Sequence, residues 1–351
     1  MDSLSQIALG AAVSVAVMSR RTAVWKAALW GAVAGTLPDL DVLIDHGDAI
    51  RNMVLHRGES HALFWLTLFS LPFGALVARL SGEWPQWRRW WLAMWLALVT
   101  HPLLDAMTVY GTQLALPFSN HPYGAGSVFI IDLLYTLPLL IGVGWAMAGR
   151  DKRSEQQTNR GLRANAVGLA ISTAYLAWGL AAQQQVSQIA SASLARQGIQ
   201  AESLLVTPTA FNTVLWRVVA VSGDSYHEGF YSLFDKTPQI AFDAYPRGNA
   251  LATELRGVEG VQRLRDFTKG FFALREDAGR VLISDLRMGQ EPDYTFTFAV
   301  AEKRSAAVPL AVPEQLGRRG DIKCSLSWLG QRIVGTALPP PVKFCGNSAP
   351  R

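Results

Sequence analysis

Long apolar runs fill the first half of the chain, and short polar segments separate them. A helix needs about 20 apolar residues to cross a hydrocarbon core of ~30 Å, and the third, fifth and sixth runs approach that length. The other three are shorter, as in tilted spans or in helices half-buried in a membrane-bound bundle. A soluble all-helical protein with buried helices is the alternative. The six runs are 4–19, 22–37, 62–80, 89–105, 129–148 and 164–184.

The pattern changes beyond residue 185. Short β-like runs, separated by Gly, Asp and Pro, predict strands within about 200–340, and residues 186–200 and 256–267 have a helical pattern. We therefore predict a mainly α, membrane-embedded helical bundle of five or six apolar helices over residues 1–185. A smaller α+β extramembrane domain follows over residues 186–351. The predicted strand runs are SLLVTP, VLWRVVAV, GFYSLF, GRVLISDLRM and DYTFTFAVA.

Composition agrees with a membrane protein and argues against two other classes. Half of the 351 residues are hydrophobic and only 17% are charged, so the apolar surplus needs a membrane or a large core. The net charge of +5 does not come from a basic face with interleaved aromatics, which argues against nucleic-acid binding. The N-terminal MDSLSQ carries an acid instead of a basic region, unlike a cleavable signal peptide.

Two cysteines, Cys324 and Cys345, lie near the C-terminus. No CxxC or Cys/His pattern surrounds them, which excludes a structural zinc finger. They are expected to pair if this part of the chain lies in an oxidising compartment, and two free thiols are the alternative.

Basic residues alternate from loop to loop in the apolar half. Three alternate loops carry eleven of them and the opposite loops carry two, a bias that the positive-inside rule predicts for a multi-span protein. The basic loops should then be cytoplasmic, and both termini should lie outside, in the periplasm of a Gram-negative host. The basic loops hold Arg20, Arg21 and Lys26; Arg79, Arg88 and Arg89; and Arg150, Lys152, Arg153, Arg160 and Arg163, whereas 37–61 and 106–128 hold Arg51 and Arg57.

Four polar clusters interrupt the apolar half, each at a segment end on the side opposite the basic loops. Ionisable groups at such positions are unfavourable unless they are paired or bind a cation. His nitrogen and Asp oxygen are suitable ligands for zinc, and also for manganese or iron. The clusters are Pro38-Asp39-Leu40-Asp41, His56-Arg57-Gly58-Glu59-Ser60-His61, His101-Pro102-Leu103-Leu104-Asp105, and Asp132.

Spacing within the clusters determines which side chains can share an ion. His101 and Asp105 are four residues apart, so on a helix they lie on one face, and Pro102 is tolerated if it lies in the first turn of that helix. His56 and His61 are five apart, which does not fit one helical face.

A turn at Gly58 would bring these two histidines together, and Ser60 would then cap the following helix. After Pro38 ends the second segment, Asp39 and Asp41 are expected to alternate on extended backbone. Either one points inward, or both bridge two ions.

Each cluster also has an interpretation without a metal. The PDLD motif is a common helix stop, and the histidines of HRGESH are able to act as hydrogen-bonding loop residues. Asp132 is placed to interact with a helix dipole. His46 and His121 are expected to be solvated loop residues, and His227 to be structural or exposed.

Together these segments resemble the YdjM-like, LexA-regulated inner-membrane proteins, a family of metal-dependent hydrolases. MDSLSQIALG, GTLPDLD, HRGESHAL, HPLLDAMTVYGTQLALPFS and FIIDLLYTLPLL carry the resemblance, and TPTAFNTVLWRVVA, FYSLFD and ISDLRMG extend it to longer members. The chain departs from the family motifs at Ser60 and Ala62, where Thr and Ser are expected, and at Leu133, where Pro is expected. The ligand order is also similar to the zinc-dependent phospholipase C and single-strand nuclease group. The resemblance implicates Asp39, Asp41, His56, His61, His101, Asp105 and Asp132, with Asp2 and Ser3 matching the N-terminal motif.

We therefore expect a membrane-bound metal-dependent hydrolase at the outer face of the bacterial inner membrane. It would hold one or two divalent ions, zinc before manganese or iron, and act on a phosphoester or other ester of a lipid or cell-envelope intermediate. A non-catalytic envelope or stress-response protein with a structural metal is one alternative, and a transport component is another. The expected ligands are Asp39, Asp41, His56, His61, His101 and a bridging Asp105, with Glu59 or Asp132 as general base and Arg57 on an anionic group.

Overall fold

The computed structural model describes residues 1–148, 155–303, 306–317 and 320–346. The chain forms two units, each assembled from separate stretches of sequence. Three basic residues of the predicted cytoplasmic linker, Arg150, Lys152 and Arg153, lie outside the described residues. Unit 1 comprises Met1–Ile44, His56–Leu180 and Ala210–Asn212, and unit 2 comprises Asp45–Leu55, Ala181–Thr209 and Thr213–Arg351.

Six of the first seven helices coincide with the six apolar runs, and one short helix lies between the second and third. Three are long and apolar enough to cross a membrane: Ser3–Arg21, Leu63–Leu80 and Asn159–Arg196. The fifth run forms a shorter helix than predicted because it begins only at Leu133. In chain order the helices are α1 (Ser3–Met18), α2 (Val24–Thr36), α3 (Ala49–Leu55), α4 (Leu63–Leu80), α5 (Trp87–Asp105), α6 (Leu133–Ala148) and α7 (Glu155–Arg196).

Helices α1 and α2 pack backbone to backbone through glycines. A Cβ at Gly10 would collide with the carbonyl of Gly31, and one at Gly35 would collide with the carbonyl of Gln6. Small residues allow this close approach, as they do between helices in membranes. The packing places the first turn of α1 beside the last turn of α2, where the polar residues of the site gather.

Unit 2 is built mainly on two antiparallel sheets, in the orders β1–β2–β3–β4 and β10–β9–β6–β5, with a small β7–β8 pair. This confirms an α+β region after the helical region. Its strands are β1 (Ser203–Pro208), β2 (Leu215–Ser222), β3 (Ser225–Ser232), β4 (Asp243–Pro246), β5 (Phe272–Asp277), β6 (Arg280–Asp285), β7 (Gly289–Gln290), β8 (Asp293–Tyr294), β9 (Thr297–Lys303) and β10 (Ala307–Gln315), and its remaining helices are α8 (Asn249–Glu254), α9 (Glu259–Phe267), α10 (Ile322–Ile333) and α11 (Pro341–Cys345).

One feature of unit 2 differs from the sequence prediction, and another decides between two alternatives that the sequence left open. The helix predicted at 186–200 is not separate, because α7 continues without interruption to Arg196. Cys324 in α10 and Cys345 in α11 form a disulfide, so the paired alternative holds.

Candidate metal centre

Four side chains from three helix ends of unit 1 meet at one point. Asp39 lies in a 3-10 helix, Pro38–Leu43, that follows α2, and His61 ends the 3-10 helix Glu59–His61 that precedes α4. His101 and Asp105 occupy the last turn of α5. His61, His101 and Asp105 are fully buried, whereas the Asp39 side chain is 22% exposed. The cluster therefore has one side that reaches solvent.

The donor atoms of these four residues lie within 4.8 Å of one another. His61 Nε2 lies 3.1 Å from His101 Nε2 and 3.3 Å from Asp105 Oδ2. Asp39 Oδ1 lies 3.4 Å from each of the two imidazole nitrogens, and His101 Nε2 lies 3.6 Å from Asp105 Oδ2. A tetrahedron with zinc–ligand bonds of ~2.1 Å has edges of about 3.4 Å, so these five separations match such a site.

The end of α2 fixes the tautomer of His101. His101 Nδ1 lies 2.7 Å from the carbonyl of Gly35. This carbonyl belongs to the last turn of α2, where carbonyls have no partner within the helix, so it accepts a proton from the imidazole. Nδ1 therefore carries the hydrogen, and the Nε2 lone pair points into the cluster.

A second hydrogen-bond chain fixes the tautomer of His61. Ser60 Oγ lies 2.6 Å from Asp41 Oδ2 and 2.8 Å from His61 Nδ1. The carboxylate only accepts, so the hydroxyl donates to Asp41 and must accept from His61 Nδ1. The Nε2 lone pair of His61 consequently also points into the cluster.

These four donor groups fit a divalent cation. Two neutral imidazoles would face each other with lone pairs 3.1 Å apart, an arrangement that a cation or an added proton has to stabilise. Asp105 Oδ2 is buried, and no hydrogen bond to it forms among the described residues. Nitrogen and carboxylate ligands in this number are those of zinc sites, with manganese and iron also able to bind them.

The other oxygen of Asp105 is held by the first turn of the chain. Asp105 Oδ1 accepts from Gln6 Nε2 at 3.0 Å and contacts the amine of Met1. Gln6 Nε2 also lies 3.2 Å from the carbonyl of His101. The two oxygens of Asp105 thus have different surroundings, one hydrogen-bonded and one directed at the two imidazoles.

The same residues fall within a known family. The family model of the YdjM inner membrane protein matches residues 1–186, which is more than half of the chain. The chain belongs to the YdjM inner membrane protein family. No curated protein matches it, and no solved structure matches it.

In this YdjM family member, Arg57 is a buried cation beside the cluster. Its Nε lies 3.2 Å from Asp105 Oδ2, and the guanidinium packs over the ring of Tyr110 at 4.8 Å. Nη1 lies 3.4 Å from Thr108 Oγ1. Arg57 has a φ of 64°, in the left-handed region that non-glycine residues rarely adopt. Such strain at a buried charged residue is characteristic of functional sites.

The cluster keeps Asp39 ionised and favours a proton on His61 when no cation is bound. Burial would raise the pKa of Asp39, but the imidazoles of His101 and His61, each with Nε2 3.4 Å from Oδ1, hold it well below its ordinary value. Burial would lower the pKa of His61, but the carboxylates of Asp105 and Asp39 raise it. A metal ion would take the place of that proton.

Asp41 and His56, both predicted ligands, are not members of the four-residue group but lie next to it. His56 Nδ1 donates to Asp41 Oδ1 at 2.8 Å, and the backbone N–H of Arg57 donates to Asp41 Oδ2 at 3.0 Å. Burial would raise the pKa of Asp41, but hydrogen bonds from His56 and Ser60 lower it. Asp41 therefore supports the residues that carry His61.

Glu59 and Asp132, the predicted general bases, occupy different environments. Glu59 is exposed at the start of its 3-10 helix. Asp132 lies at the N-terminus of α6, where Oδ1 accepts from the N–H of Leu134 at 3.1 Å and Oδ2 accepts from the hydroxyl of Tyr175 at 2.8 Å. Burial raises the pKa of Asp132.

Two local expectations were wrong, and the condition set for Pro102 is not met. Asp39 and Asp41 lie on a 3-10 helix instead of extended backbone; with three residues per turn, residues two apart still point in different directions. Ser60 caps no helix, because its hydroxyl binds Asp41 and His61. Pro102 lies in the last turn of α5 and not in the first, so it removes one hydrogen bond near the helix end.

Sequence reasoning missed three polar groups that orient the site: Gln6, the carbonyl of Gly35, and Ser60 in its actual role. Gln6 carried a signal, since it is a lone amide at the start of an apolar run. In the structure its side chain is buried. The Gly35 carbonyl carried none, because a backbone group has no side-chain signature.

Proposed function

We propose that this YdjM family member is a membrane-bound, metal-dependent hydrolase of phosphoesters or other esters at the outer face of the inner membrane. The observation that carries the proposal is the convergence of two imidazole lone pairs and two carboxylate oxygens at one buried point. Zinc is the ion that this donor set suits best, followed by manganese or iron. His61, His101, Asp39 and Asp105 would hold one ion.

A divalent ion bound there would lower the pKa of a bound water toward neutrality and polarise the scissile ester. Asp39 is the one member of the group whose side chain reaches solvent, so substrate and water would approach from its side. Arg57 would neutralise an anionic group such as a phosphate, because its guanidinium is a buried cation with a planar set of donors.

We assign the general base to Glu59 before Asp132. Glu59 is exposed and lies two residues from His61, so its carboxylate is free to approach a bound water. Both oxygens of Asp132 already accept hydrogen bonds, from Leu134 and Tyr175. A general base needs an accessible lone pair within hydrogen-bond reach of the proton that it removes.

The residues around Asp39 favour a lipid or lipid-linked ester as substrate. Leu40, Val42, Leu43 and Ile44 expose between 54% and 80% of their side chains in the same short stretch. These are large apolar groups outside the candidate spans, and a membrane interface would accommodate them. A substrate that resides in the bilayer would meet this apolar stretch on its way to Asp39.

Two observations support a periplasmic location, one for the site and one for unit 2. The alternation of basic loops predicts cytoplasmic turns on the side opposite the cluster. The disulfide between Cys324 and Cys345 is of a kind that persists in oxidising compartments.

The strongest rival is a structural metal in a non-catalytic envelope protein. Four protein ligands form a closed tetrahedral shell in structural zinc sites, whereas catalytic sites keep a position for water. The count of four donor residues favours this rival, and the exposure of Asp39 favours the hydrolase.

Metal content tests the proposal directly. The full-length protein, purified in detergent and dialysed against a weak chelator, should retain about one zinc per chain. His101→Ala should lose it, because about 10–16 kcal/mol of zinc binding shared by four ligands gives about 3 kcal/mol, or a hundredfold, per ligand. His227→Ala, in unit 2, is the matched control and should retain the metal. Negligible metal in the native protein, or equal content in all three, would contradict the proposal.

Hydrolysis separates the enzyme from the structural rival. The zinc-loaded protein should cleave a fluorogenic phosphodiester in mixed micelles, and Arg57→Met should lose this activity while retaining its zinc. Full zinc occupancy with no turnover of phosphodiester, phosphomonoester or carboxylic ester substrates would favour the structural rival.

A further inference from the structure

One short stretch of the first half belongs to unit 2. Residues Asp45–Leu55, which include α3, cluster with the C-terminal unit, while the residues on either side belong to unit 1. The chain therefore leaves the site after Asp41 and returns to it at His56. The 14 residues between these two positions, 42–55, form one connecting segment, the excursion.

The contacts within unit 2 hold α3 firmly. Ile50 is fully buried, and a Cβ at Gly260 would lie 3.2 Å from its Cδ1 and 3.4 Å from Pro313 Cγ, so the glycine in α9 leaves room for Ile50. Arg51 Nη2 donates to both oxygens of Glu259 at 3.0 and 3.3 Å. Helix α3 thus docks through a buried side chain and an ion pair on α9 and β10.

Both ends of the excursion are joined at one carboxylate in unit 1. Asp41 Oδ1 accepts from His56 Nδ1, and Asp41 Oδ2 accepts from the Arg57 N–H and from Ser60 Oγ. The carbonyl of Arg57 in turn accepts from the N–H of Gln113 at 3.0 Å. The same carboxylate that closes the excursion orients His61 through Ser60.

We propose that unit 2 is a positioning element for the metal site, acting through α3. The proposal rests on the function proposed above only in that the four-residue cluster binds a metal. While α3 is docked, the excursion is fixed and Asp41 meets His56, Arg57 and Ser60 without ordering a free loop. When α3 is released, residues 42–55 become a flexible loop. The contacts of Asp41 then have to overcome the entropy cost of closing that loop, so they weaken and His61 loses its orientation. Ile50, Arg51 and Glu259 are then positioning residues, although none of them approaches the metal.

Ile50→Ala in the full chain tests this proposal, with Ile283→Ala in β6 as its matched control. Both isoleucines are fully buried in unit 2, so the two substitutions remove the same atoms from the same unit. Zinc affinity, measured against a competing chelator, should fall about tenfold or more in Ile50→Ala, the effect typical of losing a group that orients a ligand. It should change less than about twofold in Ile283→Ala.

Amide hydrogen exchange in the metal-free protein gives a readout that needs no metal. The amides of Arg57 and Gln113 should exchange faster in Ile50→Ala than in the native protein or in Ile283→Ala. Unchanged exchange at both amides, together with faster exchange across α3, would overturn the proposal. If the native protein bound no zinc but the exchange differed as expected, the metal assignment would fail and the positioning by α3 would stand.

The ion pair gives a smaller, reciprocal test. Arg51→Glu or Glu259→Arg alone should weaken zinc binding by up to about fivefold, as expected for a partly exposed pair. The double variant should restore part of the binding, since Asp48 and Arg263 also pair with these two residues and keep their charges. Equal losses in the single and double variants would contradict a role for this pair.

Discussion

The two units of this chain bury charge in different ways. In unit 2, Arg217 Nε donates to Glu228 Oε2 at 2.6 Å, and Arg287 Nη2 donates to Asp285 Oδ2 at 2.7 Å. All four side chains are almost fully buried. In unit 1, two carboxylates share their space with two imidazoles whose lone pairs face inward.

This difference indicates which of the two groups of buried charges needs a bound cation. In unit 2, Glu228 and Asp285 each pair with one guanidinium, and the planar donor fork of arginine matches a carboxylate. Among the described residues of unit 1, Arg57 is the one guanidinium found against the cluster, and its Nε is not aligned for a hydrogen bond with Asp105. The amine of Met1 contacts the other oxygen of Asp105, so no cation of the described residues is hydrogen-bonded to Oδ2. Unit 2 should therefore be indifferent to metal, whereas unit 1 should depend on it.

The largest expected effect lies in unit 2. Arg217→Met should destabilise this unit by about 3–5 kcal/mol, because the Glu228 carboxylate is left buried without its partner. Replacing both, as Arg217→Met with Glu228→Leu, should recover most of the loss. Hydrogen exchange of the β2 amides measures the effect, with and without added zinc. A loss that zinc reverses would contradict the distinction between the units.

The sequence predicts the helices of unit 1 far better than the strands of unit 2. All six apolar runs became helices, since hydrophobic length is a local property of the chain. Helix α3 was missed because its seven residues carry no apolar run and gain their stability from α9 and β10. Strand β10 was missed for a related reason: it is largely exposed and contains two prolines, so its sequence has little strand character.

The site shows the same limit. Residue type and spacing are enough to predict that His61, His101 and Asp105 are ligands. Ionisable groups at membrane-facing helix ends are unfavourable unless they are paired or bind a cation. Residue type and spacing do not separate Asp39, in the group, from Asp41, beside it, because both lie on one short 3-10 turn. That choice depends on Ser60 and His56, whose positions come from tertiary packing.

Removal of the metal should give the next largest effect, a loss of stability in unit 1 that unit 2 does not share. With free zinc at about one hundred times its Kd, binding stabilises the folded state of unit 1 by about 2.7 kcal/mol. A strong chelator should therefore speed amide exchange in the last turn of α5 and leave that of β2 and β6 unchanged. Equal changes in both units, or none in α5, would break the comparison.

Ser60→Ala tests the hydrogen bonds that orient His61, and it changes no donor atom of the four-residue group. The substitution leaves His61 Nδ1 and Asp41 Oδ2 without the hydroxyl that joins them, and zinc affinity should fall about tenfold, or 1.4 kcal/mol. Ser60→Thr keeps a hydroxyl and should bind zinc nearly as tightly as the native protein. Chelator competition measures both. If the threonine variant lost as much affinity as the alanine variant, the hydroxyl would not be the group that matters.

The smallest effect is a dependence on pH that only unit 1 should show. His61 has a raised pKa in the metal-free protein, so its proton stabilises unit 1 fully below the ordinary His value of about 6.5. That stabilisation is lost as the pH rises through the raised pKa, while zinc binding strengthens because the metal no longer competes with a proton.

In chelator, amide protection in the last turn of α5 should therefore decrease from pH 6 to 9 after correction for intrinsic exchange. Protection of β6 should stay constant, since no imidazole contacts the buried ion pair of Arg287 and Asp285 that follows this strand among the described residues. His61→Gln should abolish the dependence in α5, and a dependence that persisted in this variant would assign the proton to another group.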